Sequence, residues 1–297
     1  MTKIGFLACE TTLPGKGERR GDAFEHDLMV GALTPAFAKT GLKLEVIDWE
    51  APIEEFDGFE LVLLGTAWNY QDKAHDFLAK LEALSERGIA VCNTPEVVRW
   101  NMTKTYLREL GERGAHTVPT LWRKTVTAKG ALEAMDTFET DRVVVKRQVG
   151  AGALGQELIS RGSLPDADWN FSQPAMLQPF LPAIANEGEL SFVFIDGELS
   201  HCLRKLPAKD DYRIQSLYGG IEEAFEPSSE EAEAAHGIIK ALPFDCPIYA
   251  RIDMLRMENG ALAVMEAEMI EPFLYPDQGP QLGDRLAGAI AKKVSTL

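Results

Sequence analysis

Hydrophobic positions along this chain fall into two textures. In roughly the first hundred residues, short apolar runs alternate with helical patterning. Lys3-IGFLA-Cys9 opens into the polar stretch LPGKGERRGD, and the spacing then predicts a helix from about Phe24 to Ala38. Predicted strands at Leu42 to Asp48 and Leu61 to Leu64 bracket an acidic connector. A helix is predicted at His75 to Glu86, a strand at Ile89 to Cys92 and a further helix from near Pro95. Alternation of this kind implies an open, largely parallel α/β sheet. Such sheets bind ligands at the carboxyl ends of their strands, which here are Cys9 to Asp27, Gly65 to Gln71 and Asn93 to Pro95.

The second texture begins after Gly114, where short β-branched runs alternate with turns. They are Arg142-VVVK-Arg147, Ala175-MLQPFL-Pro182, Leu190-SFVFIDGELSHCL-Arg204, Ile248-YARIDML-Arg256 and Ala261-LAVMEAEMI-Glu271. Asp196-Gly197 is a hairpin-turn signal. Ser228 to Leu242 reads as a helix with acidic residues in its first turns, where the helix dipole favours them. The chain has no internal repeat and no low-complexity tract.

With 297 residues and 45% hydrophobic content, the chain can build more than one core. A formal charge of -16 argues against general affinity for nucleic acid or anionic membranes, so any anionic ligand must be held by local groups. Cys9, Cys92, Cys202 and Cys246 are scattered without a CxxC pair and read as reduced core thiols. The apolar run at the N-terminus is too short for a secretory signal, and no run approaches the roughly 18 residues of a membrane span. A soluble cytoplasmic protein is expected.

The candidate chemistry starts at Val264-MEAEMIE-Pro272, an apolar strand interrupted by acids. Simple alternation puts Glu266 and Glu268 on the face of Val264 and Ile270, with Met265, Ala267 and Met269 opposite. Neighbouring carboxylates repel unless a cation lies between them. Arg251-Ile-Asp253 adds an arginine and a third acid to one face of the adjacent strand, across the turn at Glu258-Asn-Gly260. Oxygen-only donors suit Mg²⁺; the plainer alternative is the wet face of an antiparallel edge strand. A second constellation, Val143-VVKRQVGAGAL-Gly155, presents Lys146 and then glycines at 150, 152 and 155, which let backbone N–H groups approach phosphate. It is not a Walker A loop, and a plain hairpin turn is its alternative. Trp100-NMTKTYLREL-Gly111 reads as a helix carrying Lys104, with an exposed helical lysine as the bland reading.

In this order, these elements resemble the ATP-grasp superfamily. The resemblance implies an α/β (α+β) fold in three parts: an N-terminal α/β substrate domain at 1–100, a lid subdomain at 101–182 and a mixed-sheet catalytic subdomain at 183–297. It also implies that Lys104, Lys146 and the loop glycines Gly150, Gly152 and Gly155 meet ATP phosphates, and that Gln178, Phe180 and Leu181 cup adenine. Glu189, with Glu187 as alternative, would bind ribose; Asp253, Glu266 and Glu268 would hold one or two Mg²⁺ ions, with Mn²⁺ as a substitute. Asp211-YRIQSLYG-Gly220 is similar to a segment of glutathione synthetase relatives, which makes Arg213 a contact to a phosphoryl or carboxylate group and brings in Gly219 and Gly220. Two departures are Glu268, where the family most often has Asn, and Gln215, where the segment usually has Asn. Glu-x-Glu followed by Ile-Glu-Pro, Thr66-AWN-Tyr70 and Thr94-PEVVRWNMTKTY-Leu107 resemble the cycloserine-biosynthesis cyclo-ligase branch, although Thr94 and Asn69 depart from its pattern.

The family chemistry is carboxylate activation by ATP to an acyl phosphate, which an amine then attacks. Arg251 would lie over the transferring group, in a site that supplies positive charge where phosphoryl charge develops. Substrate contacts are expected from Asp22, His26 (assigned to a loop), Thr66, Trp68, Asn69 and Tyr70, with Trp68 and Tyr70 alternatively core aromatics. Arg19 and Arg20 either pair with a substrate carboxylate or decorate a loop. Small-molecule carboxylate and amine substrates are the implied partners, and the resemblance is compatible with a homodimer. The competing readings are an intramolecular cyclo-ligase, an intermolecular dipeptide or amino-acid ligase, and a nucleotide-binding module without catalysis.

Overall fold

The structure, a computed structural model, describes residues 1–150, 155–209, 212–214 and 218–297. Strands β1 (Thr2–Ala8), β2 (Leu42–Asp48), β3 (Phe59–Thr66) and β4 (Ala90–Cys92) form a parallel sheet in the order β2-β1-β3-β4. Helix α1 (Ala23–Lys39) joins β1 to β2 and α2 (Ala74–Glu86) joins β3 to β4. Both faces of β1 are covered: Ile4 and Phe6 enter one core and Leu7 another. That accounts for its near-continuous apolar run.

After α3 (Pro95–Asn101) and α4 (Tyr106–Glu112), a second sheet forms from β5 (Leu121–Arg123), β7 (Arg142–Arg147), β8 (Glu157–Ser160) and β10 (Ala175–Pro179). Its order is β5-β10-β7-β8, and its pairs are antiparallel. Helix α5 (Ala128–Thr137) gives it a core of its own through Ala131, Ala134 and Met135, while β6 (Val126–Thr127) and β9 (Asn170–Phe171) make a small ribbon.

The third sheet follows a short helix, α6 (Ala183–Asn186). It comprises β11 (Glu189–Ile195), β12 (Glu198–Leu206), β13 (Ile221–Ala224), β14 (Tyr249–Arg256) and β15 (Leu262–Glu268). These are antiparallel in the order β13-β12-β11-β14-β15. Asp196 and Gly197 take φ of 49° and 83°, as the tight turn between β11 and β12 requires. Helix α7 (Ser229–Lys240) starts with a full capping box between Ser228 and Glu231, a device that contributes about 1 kcal/mol. The last helix, α8 (Leu282–Val294), returns to lie on α1 so closely that a Cβ at Gly283 would sit 2.6 Å from the Ala32 carbonyl oxygen. One core therefore runs from Ile4 and Phe6 through α1 and α8 to Val193 and Leu203 of the third sheet. The carboxyl ends of the parallel strands are thereby fixed against β14 and β15.

Three sequence expectations need correcting. Lys104 is not on a helix; it lies in the turn between α3 and α4. His26 is not on a loop; it lies in the first turns of α1, where it is buried. Cys9, Cys92 and Cys202 are buried as expected, but Cys246 is exposed. Among the described residues no helix is long and apolar enough to cross a membrane.

Candidate active site

Strands β14 and β15 carry the acidic cluster. Their register pairs Arg251 with Glu268 and Asp253 with Glu266. Between Asp253 and Met254 the register shifts, so Met254 pairs with Val264 and Met265 is left over as a bulge. Simple alternation is thereby overturned. Val264 enters the same core as Ala267 and Met269, Met265 goes to a different apolar cluster, and Glu266 and Glu268 are half-buried.

The outer edge of β15 is not a wet edge. Asn101 Nδ2 donates to Ala267 O at 2.7 Å, and its Oδ1 accepts from Met269 N at 2.9 Å. The Tyr106 hydroxyl accepts from Ala267 N at 3.0 Å, while the backbones of His116 and Val118 bond both sides of Val264. Asn93 ties Tyr249 O, Met269 O and Ile248 N together in the same way. The helical segment that clamps the bulged strand also sets Lys104 against Glu266, with which it forms an ion pair.

Four cations face these acids. Arg251 reaches Asp253 through Nε at 3.0 Å and Nη2 at 2.9 Å, Glu268 at 2.5 Å and the Phe273 carbonyl at 2.9 Å. Lys205, on β12, is buried and bridges Glu189 at 3.0 Å and Asp253 at 3.4 Å. Sequence reading did not single it out, since an alternating strand position is where a lysine ordinarily faces water. Ser191 donates a further bond to Asp253 at 2.6 Å. Burial would raise the Asp253 carboxyl, but Arg251 and Lys205 outweigh it and hold it down to about 2. Burial pushes Glu189 up to about 7 despite Lys205. The fourth cation, Lys146 on β7, is lowered to about 8 by burial, then by repulsion from Lys104.

Lys146 and Glu189 also line an apolar cavity with Gln178, Phe180, Leu181 and Met265. The segment from Gln178 to Leu181 thus forms one wall of this cavity, and the bulge delivers Met265 to it. The Phe180 ring lies 4.0 Å under the Arg142 guanidinium. Arg213 lines this cavity rather than the Arg251–Asp253 cluster, with its guanidinium 3.7 Å from the Tyr218 ring. Glu187, the alternative to Glu189, faces elsewhere and pairs with Arg256 at 2.7 Å. Gly150 lines a smaller pocket with Lys104, Tyr70, Glu266, Glu268 and Glu271. Gly155 is held close over the Arg147 guanidinium. Gly152, Asp211 and Gln215 lie outside the described residues.

The substrate candidates divide. Arg20 pairs with Asp22 and stacks 4.9 Å from the Trp68 ring, while Trp68 Nε1 donates to the Glu271 carbonyl at 2.9 Å. Tyr70 is buried on Phe77 yet reaches the acidic pocket. Asn69 instead bonds Trp49 and Glu50, and His26 bonds Thr66 at 2.6 Å. Those three are not brought to the acidic cluster. Arg19 pairs with Asp27, and Gly219 lies in a turn beside Ala208, followed by Gly220.

Asp253, Glu266 and Glu268 form an oxygen donor set that suits Mg²⁺ in kind. Among the described residues, however, no three acidic, histidine or cysteine side chains converge as a ready metal cage. Asp253 spends both oxygens on Arg251, so the exchangeable oxygens belong to Glu266 and Glu268, each held by a single cation.

Residues 163–264 match the family described as prokaryotic glutathione synthetase, ATP-grasp domain, and residues 4–93 match the D-cycloserine synthetase DcsG N-terminal domain. The chain thus carries a match to an ATP-grasp domain. The cycloserine biosynthesis protein DcsG of Streptomyces lavendulae is 28% identical over 281 residues, 88% of this chain and 92% of that protein. A glutathione synthetase of Rhodopseudomonas palustris is 31% identical over 150 residues, covering 48% of this chain and 45% of that one. The crystal structure of D-cycloserine synthetase DcsG superposes with a TM-score of 0.81 at 21% identity, covering 98% of this chain and 99% of that one. D-alanine–D-alanine ligase from Bacillus anthracis gives 0.69 at 16% identity, over 100% and 98%. The expected superfamily, mixed α/β fold and ligase class of this ATP-grasp protein are thereby borne out.

Proposed function

We propose that this ATP-grasp ligase activates a small-molecule carboxylate as an acyl phosphate and joins it to an amine, releasing ADP and phosphate. The observation that carries this is the convergence of Lys104, Lys146, Lys205 and Arg251 on paired acids beside one apolar cavity. Phosphoryl transfer needs little covalent participation from protein and much positioning and charge. Lys146 and Lys104 would receive the nucleotide phosphates, with Gln178, Phe180 and Leu181 around the base and Glu189 at the ribose. Arg251 and Lys205 would face the developing charge on the transferring group, in a buried setting where such interactions are strong. Glu266 and Glu268, with Asp253 behind them, would hold Mg²⁺, which supplies charge neutralisation between nucleotide phosphates when bound. The Ser191 hydroxyl at this cluster is spent on Asp253, which agrees with direct attack by the substrate carboxylate.

Similarity to DcsG over most of the chain favours an amino-acid derivative that is cyclised intramolecularly. Incubation with Mg-ATP and a panel of amino acids, dipeptides and ureido-serine analogues tests the reading. Substrate-dependent ADP with an amide product supports it; AMP would mean adenylation and overturn it.

A further inference from the structure

One acid in the cleft, Glu271, has no ion-pair partner among the described residues. Glu271 lines the pocket formed by Tyr70, Asn101, Lys104, Gly150, Glu266 and Glu268. Lys104 pairs with Glu266, Arg251 with Glu268 and Asp253, and Lys205 with Glu189. The Glu271 carboxyl is met by the neutral Gln71 amide, whose Nε2 donates to Oε1 at 3.3 Å. Its backbone is fixed: Trp68 Nε1 donates to its carbonyl oxygen, and Pro272 follows it. It stands at the seam between the end of the parallel sheet, through Trp68 and Gln71, and the acidic strand β15. Glu271 is half-buried; a carboxylate drawn out of water without a counter-charge is costly, and desolvation followed by repulsion from Glu268 pushes its carboxyl up to about 8, with Gln71 and Lys104 opposing.

Resting on the ligase reading above, we propose that Glu271 binds the ammonium group of the amine that attacks the acyl phosphate and takes its proton. The substrate class is thereby narrowed to amines that are cationic in water. In the step, the amine nitrogen forms a bond to the acyl carbon and the carbon–oxygen bond to phosphate breaks. Of the two protons the ammonium nitrogen must lose, the first passes to the Glu271 carboxylate and frees the lone pair that attacks; the second departs with the electron pair on inorganic phosphate, released as hydrogen phosphate. Gln71 and Trp68 act as positioning residues that hold this carboxylate at the seam.

Hydroxylamine separates the two halves of the reaction, because it is small, uncharged at neutral pH and intercepts acyl phosphates without an ammonium subsite. With the panel member that wild-type protein turns over, Glu271→Gln is expected to form hydroxamate within about threefold of wild type. Its amide formation falls about 100-fold, the lower end of what a proton-accepting group contributes, with affinity for ATP unchanged. Glu271→Asp, a milder change in case the glutamine variant does not fold, is expected to keep hydroxamate formation and raise the KM for the amine-bearing substrate. Amide formation by Glu271→Gln at the wild-type rate overturns the proposal and leaves the ligase reading standing. So does a parallel loss of hydroxamate and amide. Absence of hydroxamate from wild-type protein across the whole panel overturns the ligase reading itself and this proposal with it.

Discussion

Lys205 is the cation on which the electrostatics of the cleft turn, and Lys205→Met tests that directly. Its ammonium lies 3.0 Å from Glu189 and 3.4 Å from Asp253. Burial and Arg251 work against its charge, yet the two carboxylates keep it protonated above the usual lysine range. In the variant Asp253 keeps Arg251 and Ser191, whereas Glu189 loses its only ion-pair partner among the described residues. Breaking a buried pair typically costs about 3–5 kcal/mol, but Glu189 can escape by taking a proton, since its carboxyl already stands near 7. A loss of about 1–3 kcal/mol near neutral pH is therefore expected. The sign with pH follows from linkage. A carboxyl raised in the folded state contributes stability below its unfolded pKa and loses it as pH rises through the folded one. Wild-type protein loses this contribution up to about 7; the variant, with Glu189 raised further, goes on losing it at about 1.4 kcal/mol per pH unit. Urea unfolding at pH 6.5 and 8.5 should show the destabilisation larger by about 2 kcal/mol at the higher pH. Equal destabilisation at both values would refute the reasoning.

Glu266→Gln should reduce turnover at least 100-fold, the scale of losing one preorganised electrostatic group, while the midpoint of thermal unfolding stays near wild type; wild-type turnover would remove Glu266 from the metal assignment. Because Lys146 is lowered to about 8 in the free protein, ATP affinity by calorimetry should be level below that pH and fall up to tenfold per unit above it. Asn101→Ala should cost about 1–3 kcal/mol in urea unfolding, as it strands two buried backbone partners on β15. Gly65→Ala should prevent recovery of folded protein, since Gly65 has φ of 57° and an added Cβ would sit 2.2 Å from the Leu7 carbonyl oxygen.

Much of the fold is legible in the sequence because the two textures have different physics. Parallel strands covered on both faces read as short apolar runs between helices, and the antiparallel region reads as β-branched segments separated by turn residues such as Asp196-Gly197. That Arg251 and Asp253 lie on a strand beside the one carrying Glu266 and Glu268 follows from one turn, but their pairing with Glu268 and Glu266 depends on the register shift after Asp253. What was missed has local causes. The bulge at Met265 carries no glycine or proline to announce it, and it reverses the face of Val264. Lys205 sits in an alternating strand where a lysine ordinarily faces water, and only the fold brings Glu189 and Asp253 around it. Asn93 and Asn101 act through backbone groups more than 140 residues away in sequence, so no local pattern could reveal them. His26 was assigned to the preceding loop although the helix predicted from about Phe24 already contains it; the helix begins at Ala23.

The central claim is that a substrate carboxylate oxygen is phosphorylated and then leaves with phosphate. Turnover of substrate labelled with oxygen-18 in its carboxylate, followed by mass analysis of the inorganic phosphate, tests it most directly. The account predicts one labelled oxygen in each phosphate released, together with ADP. Unlabelled phosphate, or label recovered in AMP, would contradict it.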